Sequence, residues 1–335
     1  MSSLKSASRR ILRVIVLIAS LLALSACTSI KVKMGMKVYL EKTPVASIAA
    51  SLPNGPGIAP GEKSPLVVVV SEPDGKVLQT EGVGHGKVLW KDLTITTTVV
   101  TANQKGILTF PRDPRISDGK LGHVVITVPS HPGITAEFDV PVRYNYSFSS
   151  NFSGSPGSSG MSGSDGMSGA SGSMGSTDPN SPSAGGNGSN GGNGSDGGDG
   201  GPGGNAPPVQ VRIALRSGSH PLLQVAVSAT GKQKLYLVDP QGGSLTVKAD
   251  GGPGGSGGSG GRGGQGGSGG MGSPSGSSGS SGSDGRNGSD GAPGRGGSIT
   301  VTYDPQAKPF LTAIHLSNRG GPPPVFKEET VPALW

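Results

Sequence analysis

Four charged side chains, Asp113, Arg115, Asp118 and Lys120, share the stretch "DPRISDGK" at 113–120. Two carboxylates that close could divide general acid and base work, but catalysis also needs a nucleophile or a further base aimed at them, and no neighbouring residue supplies one. A salt-bridged turn is the expectation. The stretch "GGSGG" at 254–258 satisfies a G-x-S-x-G pattern, and Gly252, Gly254 and Gly257 satisfy G-x-G-x-x-G. Neither lies between a strand and a helix, the setting that exposes a nucleophile or receives a pyrophosphate. Both follow from glycine frequency alone. His85, His123, His131, His220 and His315 have no i, i+4 partner for a metal ion and fall in strands or turns. The sequence thus offers no catalytic residue, no cofactor and no metal site, and an enzyme is not expected.

The stretch "GGNGSDGGD" at 191–199 is similar to the glycine-rich calcium repeat of secreted β-rolls. That repeat needs a large apolar residue facing its core, and Gly198 stands there instead. Asp196 and Asp199 are therefore read as keeping the surface wet.

The single cysteine is the one residue with assigned chemistry. Lys5, Arg9, Arg10 and Arg13 form a basic leader without acids, followed by the apolar run "VIVLIASLLALSA" at 14–26. The run is too short for a comfortable membrane span and reads as an export signal. It ends in "LSAC" at 24–27, which resembles the bacterial lipobox. The resemblance implies that diacylglycerol is attached to the Cys27 thiol and that the signal is cut between Ala26 and Cys27. An ordinary export signal with a chance cysteine is the alternative. Acyl chains contribute about 0.8 kcal/mol per buried methylene, so two or three of them hold a protein on a membrane. Thr28 is not the aspartate that resembles an inner-membrane retention signal, which points to the outer membrane or the cell surface.

Because Cys27 is the only cysteine, disulfides and cysteine-rich metal sites are excluded. Of 28 basic residues four precede Cys27 and no acid does, which leaves 24 against 21 acids and a mature charge near +3. That weak excess argues against nucleic acid as a partner. Lys31, Lys33 and Lys37 follow the anchor, where they read as a solvated tether or as contacts to anionic headgroups.

The elements that follow divide by composition. Residues 1–26 are the signal and 27–31 the lipidated tether. Residues 32–148 hold alternating apolar patterns: "PLVVVV" (65–70), "VLWKDLTITTTVV" (88–100), "GILTF" (106–110), "GHVVITV" (122–128) and "ITAEFDVPVRYNYSF" (134–148). Short strands between "PDGK" and "SDGK" turns, with no helical pattern of ten residues, predict a β-sandwich. In the last of these stretches Pro141 predicts an edge or a bulge. The layout resembles the immunoglobulin-like modules of bacterial surface proteins, without a diagnostic Cys–Trp–Cys, and Trp90 reads as a core residue.

A second β module is predicted from 207–250 and 298–318, with strands "VQVRIALR" (209–216), "LLQVAVSA" (222–229), "KLYLV" (234–238) and "LTAIHL" (311–316). A Gly/Pro-rich tail follows at 319–335. The fold class is all-β.

Glycine at every third position organises the rest. Two tracts, 154–175 and 185–203, fill most of 149–206, and two more, 251–272 and 276–297, form an insert at 251–297 that turns at Ser273, Pro274 and Ser275. "SLTVKAD" and "SITVTYD" bracket that insert and predict a pair of strands from which it projects. Three states satisfy the spacing. A collagen-like trimer needs more proline than these tracts hold and an unbroken frame. Disorder is the default of Gly/Ser composition. A bundle of polyproline-II-like helices would put one triplet position on each face, the glycine-richest tracts inside, and roughly 65 Å in each tract at 3.1 Å per residue. The equal tract lengths favour the bundle. This arrangement resembles the glycine-helix bundles of springtail antifreeze proteins and some phage tail-fibre adhesins, a likeness confined to the triplets and implying architecture more than function.

The expected protein is a surface-anchored lipoprotein of structural or adhesive role, its glycine arms a stiff scaffold. The alternative is specific binding of polysaccharide or a receptor through loops at the arm tips, "TDPNSPS" (177–183) and "SPS" (273–275), with ice binding a third reading. Expected partners are the membrane through lipid at Cys27 and cell-envelope polysaccharide or surface proteins, with monomer and collagen-like trimer both open.

Overall fold

A computed structural model describes residues 31–32, 34–218 and 220–335. The export signal, Ala26, Cys27, the tether through residue 30 and Lys33 lie outside the described residues. Among the described residues strands make up 30% and helices 8%, so the fold is β-rich. The chain divides into two units, the first running through Tyr146 and the second spanning Ser147–Leu334.

The first unit contains β1 (Ser47–Ser51), β2 (Lys63–Pro65), β3 (Val67–Ser71), β4 (Val77–Gln79), β5 (Thr94–Thr98), β6 (Thr101–Ala102), β7 (Ile107–Thr109), β8 (Gly122–Thr127) and β9 (Thr135–Val140). They form three antiparallel sheets in the orders β1-β3-β4, β2-β7-β6 and β5-β8-β9. Alternation works as expected in β8, where Val124 and Ile126 are fully buried between half-exposed neighbours. They join Leu40, Ile58, Val68, Val70, Leu108 and Phe110 in one core. Trp90 is buried against it and donates from Nε1 to the Glu81 carbonyl at 3.1 Å. Gly106, with φ of 68°, is required here, because a Cβ would enter the Trp90 ring.

The expected long strand over 88–100 is broken by a 3₁₀ turn at Trp90–Asp92, whose Asp92 carboxylate caps the Leu40 amide at 3.0 Å. The stretch 134–148 is also two strands. Pro141 has no amide to donate, so β9 stops at Val140, and the next strand belongs to the second unit. That moves the boundary predicted at 148 back to Tyr146.

The second unit contains β10 (Ser147–Asn151), β11 (Val209–Arg216), β12 (Leu222–Ala229), β13 (Lys232–Val238), β14 (Ser244–Lys248), β15 (Ile299–Tyr303), β16 (Ile314–Ser317) and β17 (Val325–Glu328). One sheet has the order β13-β12-β11-β15-β17 and the other β10-β14-β16. β12 and β13 are joined by Thr230 and Gly231, both at positive φ (49° and 74°), as a two-residue hairpin requires. Val209, Val211, Ile213, Val225, Val227, Leu245, Val247 and Val301 are buried. The rings of Phe148 and Tyr236 lie 5.8 Å apart, and the Tyr236 hydroxyl donates to the Ser149 carbonyl at 3.3 Å, which links the sheets.

Three expectations are corrected here. The bracketing strands β14 and β15 do not pair with each other; β14 lies between β10 and β16, and β15 between β11 and β17, every pairing parallel. "LTAIHL" begins inside a 3₁₀ helix, Pro305–Ala313, capped by Asp304, whose Oδ1 accepts from the Gln306 amide at 2.9 Å, so that its strand starts only at Ile314. The Gly/Pro-rich tail supplies an edge strand, β17, and then buries Val331.

Candidate functional site

The glycine tracts are bonded to one another along their whole length. Amides of the first tract donate to carbonyls of the third, from Gly154 to Asp250 (2.9 Å) through Gly163 to Ser259 (2.7 Å) to Gly175 to Met271 (2.6 Å), which makes these two tracts parallel. Second-tract amides donate to the fourth in the same manner, from Gly185 to Pro274 (2.9 Å) through Gly203 to Ala292 (2.9 Å). The antiparallel contacts join first to second, second to third and third to fourth, for example Gly192 to Met167, Gly264 to Gly192 and Gly282 to Gly264, each 2.8 Å. The second and third tracts thus each bond to all the others, while the first and fourth bond only to those two.

Position within the triplet decides what each glycine faces. A Cβ on Gly263 would collide with the Gly282 carbonyl of the fourth tract, and one on Gly264 with the Met167 carbonyl of the first. Two adjacent glycines therefore give the third tract two close faces, and Gly252, Gly255, Gly258, Gly261, Gly264, Gly267 and Gly270 are buried in phase. In the second tract one face is less crowded. A Cβ on Gly192 would stand 3.2 Å from the Met167 nitrogen, and at the equivalent positions Ser189 and Ser195 accept the amides of Ala170 and Ser164 through Oγ, each at 2.7 Å.

Sequence reasoning missed the work of the acidic and amide side chains. Oδ1 atoms of Asn187, Asn190, Asn193, Asp196, Asp199 and Asn205 accept the amides of Ser277, Ser280, Ser283, Arg286, Ser289 and Arg295 at 2.7–2.9 Å. Asp284, Asn287 and Asp290 take the amides of Gly263, Gly260 and Gly257 in the third tract, and Asp165 that of Arg262. Asp196 and Asp199 are thus hydrogen-bond acceptors between tracts, not mere surface wetting, each taking a fourth-tract backbone amide at 2.7 Å. The signal available in the sequence was Asn or Asp at every third position from 187 to 199.

Both turns lie together at one end. Ser273 donates its amide to the Ser183 carbonyl at 2.9 Å, and Ser176 and Ser183 tie the longer turn closed through N–H to O (3.0 Å) and N–H to Oγ (2.7 Å). At the opposite end Asp250 joins β14 to the third tract. Its Oδ1 accepts from Ser317 Oγ and from the Arg319 amide, each at 2.7 Å, and the Ser317 bond foremost holds its carboxyl below the ordinary value.

The other candidates lie outside the glycine tracts. Asp113 caps the single helical turn Pro114–Ser117 and pairs with Arg115 at 2.6 Å, which lowers its pKa, while Asp118 accepts from the Tyr144 hydroxyl at 3.4 Å; Lys120 donates its amide to the Ser117 carbonyl at 3.0 Å. His123 sits between Asp139 (2.8 Å to Nδ1) and Glu137 (3.0 Å to Nε2), and the Asp139 hydrogen bond raises its pKa. His131 meets Ser130 Oγ at 3.0 Å, His220 meets Asp239 at 2.9 Å, and His85 and His315 are exposed. Among the described residues no cluster of three or more His, Cys, Asp or Glu could hold a metal ion, and no helix is long and apolar enough to cross a membrane. No family model, curated protein or solved structure matches the chain.

Proposed function

We propose that this chain is a lipid-anchored cell-surface protein of structural or adhesive role, in which the four glycine tracts are polyproline-II-like helices packed as a stiff arm. The observation that carries the reading is the periodic bonding between tracts, at least one glycine amide per triplet given to a neighbouring tract over the full length of all four. A helix of three residues per turn keeps each triplet position on one straight face, which suits that periodicity. Bonding within one chain supports a monomer over a collagen-like trimer or a disordered linker. In this reading the first unit is an immunoglobulin-like spacer, favoured by its antiparallel sheets, and lipid at Cys27 ties the chain to the outer membrane or cell surface. We assign it no catalytic step.

The anchor is tested by Cys27→Ala, which should release the protein from the membrane or leave its signal uncut; a variant processed and anchored like wild type would refute it. Circular dichroism with sedimentation of the whole chain in detergent tests the arm, where a polyproline-II signature in a compact monomer is expected.

A second reading is favoured by the bond between Ser273 and Ser183, which sets two polar turns side by side. Such a tip is suited to recognising a polysaccharide or a surface receptor. Replacing 177–182 by Gly/Ser should abolish binding on a glycan panel if the tip recognises sugar, and leave a purely structural role unchanged.

A further inference from the structure

Four Asn-Gly steps stand on the glycine tracts, at 187–188, 190–191, 193–194 and 287–288, and all four asparagines are exposed. Asparagine is thermolabile, and glycine after it has no side chain to obstruct closure of a five-membered ring. The backbone nitrogen of the glycine gives up its proton and attacks the asparagine Cγ. A carbon–nitrogen bond forms, the side-chain nitrogen leaves as ammonia, and water opens the resulting succinimide to aspartate or isoaspartate. Isoaspartate carries the chain through its side chain, one methylene longer, and so breaks the triplet frame.

Burial does not shield these asparagines, yet the array engages both reacting groups at every step. In the second tract one residue of the fourth holds the two together. The Gly188 amide donates to the Ser277 carbonyl at 2.9 Å, while the Ser277 amide donates to Asn187 Oδ1 at 2.8 Å. Ser280 holds Gly191 and Asn190 in the same way (2.9 and 2.8 Å), and Ser283 holds Gly194 and Asn193 (2.9 Å each). At 287–288 the third tract supplies the partners: the Gly288 amide donates to the Gly258 carbonyl at 2.8 Å, and Asn287 Oδ1 accepts from the Gly260 amide at 2.9 Å. Asp196-Gly197 and Asp199-Gly200 repeat the pairing on Arg286 and Ser289, which shows that the side-chain atom required there is an acceptor oxygen.

We propose that this paired bonding keeps the four Asn-Gly steps unreactive while the array is closed and makes them deamidation sites once it opens. A glycine N–H aimed into a carbonyl is shielded from base, and turning the nitrogen onto Cγ breaks that rung and pulls Oδ1 from its own donor. Ring closure therefore proceeds only from locally opened triplets, as amide hydrogen exchange does. The acceptors that tie the tracts together are thus protected by the bonds they make, and a lasting opening is recorded as isoaspartate.

The test incubates the purified chain in mildly alkaline buffer, folded and in urea, with circular dichroism to verify each state. Peptide mass spectrometry reads aspartate and isoaspartate at each position. The four steps should react about tenfold or more slowly in the folded chain, since two rungs, each favouring the closed form about fivefold, must open together. Asn54-Gly55 is exposed in the first unit, its Gly55 amide reaching the Leu52 carbonyl of its own turn at 3.2 Å, and should be slowed less. Ser280→Pro removes the amide that Asn190 accepts and keeps the carbonyl that Gly191 uses, in tracts that already hold proline at 156, 202, 253 and 293. Asn190 should then react about fivefold faster, with Asn187 and Asn193 unchanged. Equal rates in the folded and urea-treated chain, equal slowing at Asn54, or an unaffected Asn190 in folded Ser280→Pro would each overturn the proposal. The wild-type comparison decides alone if that variant does not fold.

Discussion

The Gly154 amide donates to the Asp250 carbonyl at 2.9 Å, and at this bond a parallel pair of strands becomes a parallel pair of glycine tracts. On one side Ser147 faces Ser244 and Asn151 faces Lys248; next, Phe152 donates to Lys248 at 2.8 Å; beyond, Gly157 donates to Pro253. The stagger never changes. The same holds where Gly203 donates to Ala292, Ala206 to Arg295, and Val209 faces Ile299. Sheet and tract are one hydrogen-bonded lattice whose rungs change in spacing but not in partner.

Adjacent glycines should differ sharply in tolerance. Gly191→Ser drives a Cβ into the Gly264 carbonyl, and its strain with lost rungs should destabilise by about 2–4 kcal/mol. Gly192→Ser enters the site type already held by Ser189 and Ser195 and should stay within about 0.5 kcal/mol of wild type. Chemical denaturation of both variants reads the difference.

The third tract makes a harsher pair. Gly263→Val overlaps the Gly282 carbonyl and should lose amide protection along several triplets, with a stability loss of about 3 kcal/mol or more. Ser280→Val, on the exposed side of the fourth tract, should cost under about 1 kcal/mol. Equal and small effects in hydrogen exchange would count against a packed array.

Replacing 251–295 by Asn-Gly should unfold the second unit. Such a turn joins neighbouring antiparallel strands, whereas β14 and β15 belong to different sheets. Far-ultraviolet circular dichroism retaining the full strand signal would contradict the observed topology.

Asp250 and His123 should give opposite pH slopes. The Asp250 pKa is lowered on folding, so its contribution is present above the unfolded value, about 3.9, and is lost as pH falls through the lower folded value. The His123 pKa is raised, so its contribution is complete below about 6.5 and is lost as pH rises through the higher folded value. Melting midpoints across pH should flatten at the acid end in Asp250→Asn and at the neutral end in His123→Gln.

Local pattern was legible where one face of a strand is buried. In "VQVRIALR" the alternation marks Val209, Val211 and Ile213, all buried in β11. Paired glycines likewise marked the tracts with the most neighbours. Partner choice was not legible, because "SLTVKAD" and "SITVTYD" match in pattern, yet their pairing follows from which tracts lie side by side beyond them. Nor was the acceptor role of Asn187 or Asp196, since an exposed amide or carboxylate gains a partner only once the fourth tract is in place. For Cys27 the sequence remains the whole argument, as it lies outside the described residues.

The regular rungs also make length a counted quantity. Each storey takes one triplet from every tract, and inserting a single residue in one of them would put side chains against neighbouring carbonyls from that point onward. At the polyproline-II rise proposed for the tracts, one triplet added to all four would instead raise the array by about 9 Å with turns and sheets untouched. Reach can therefore be reset in whole storeys, by the joint gain or loss of repeats, without redesigning either end.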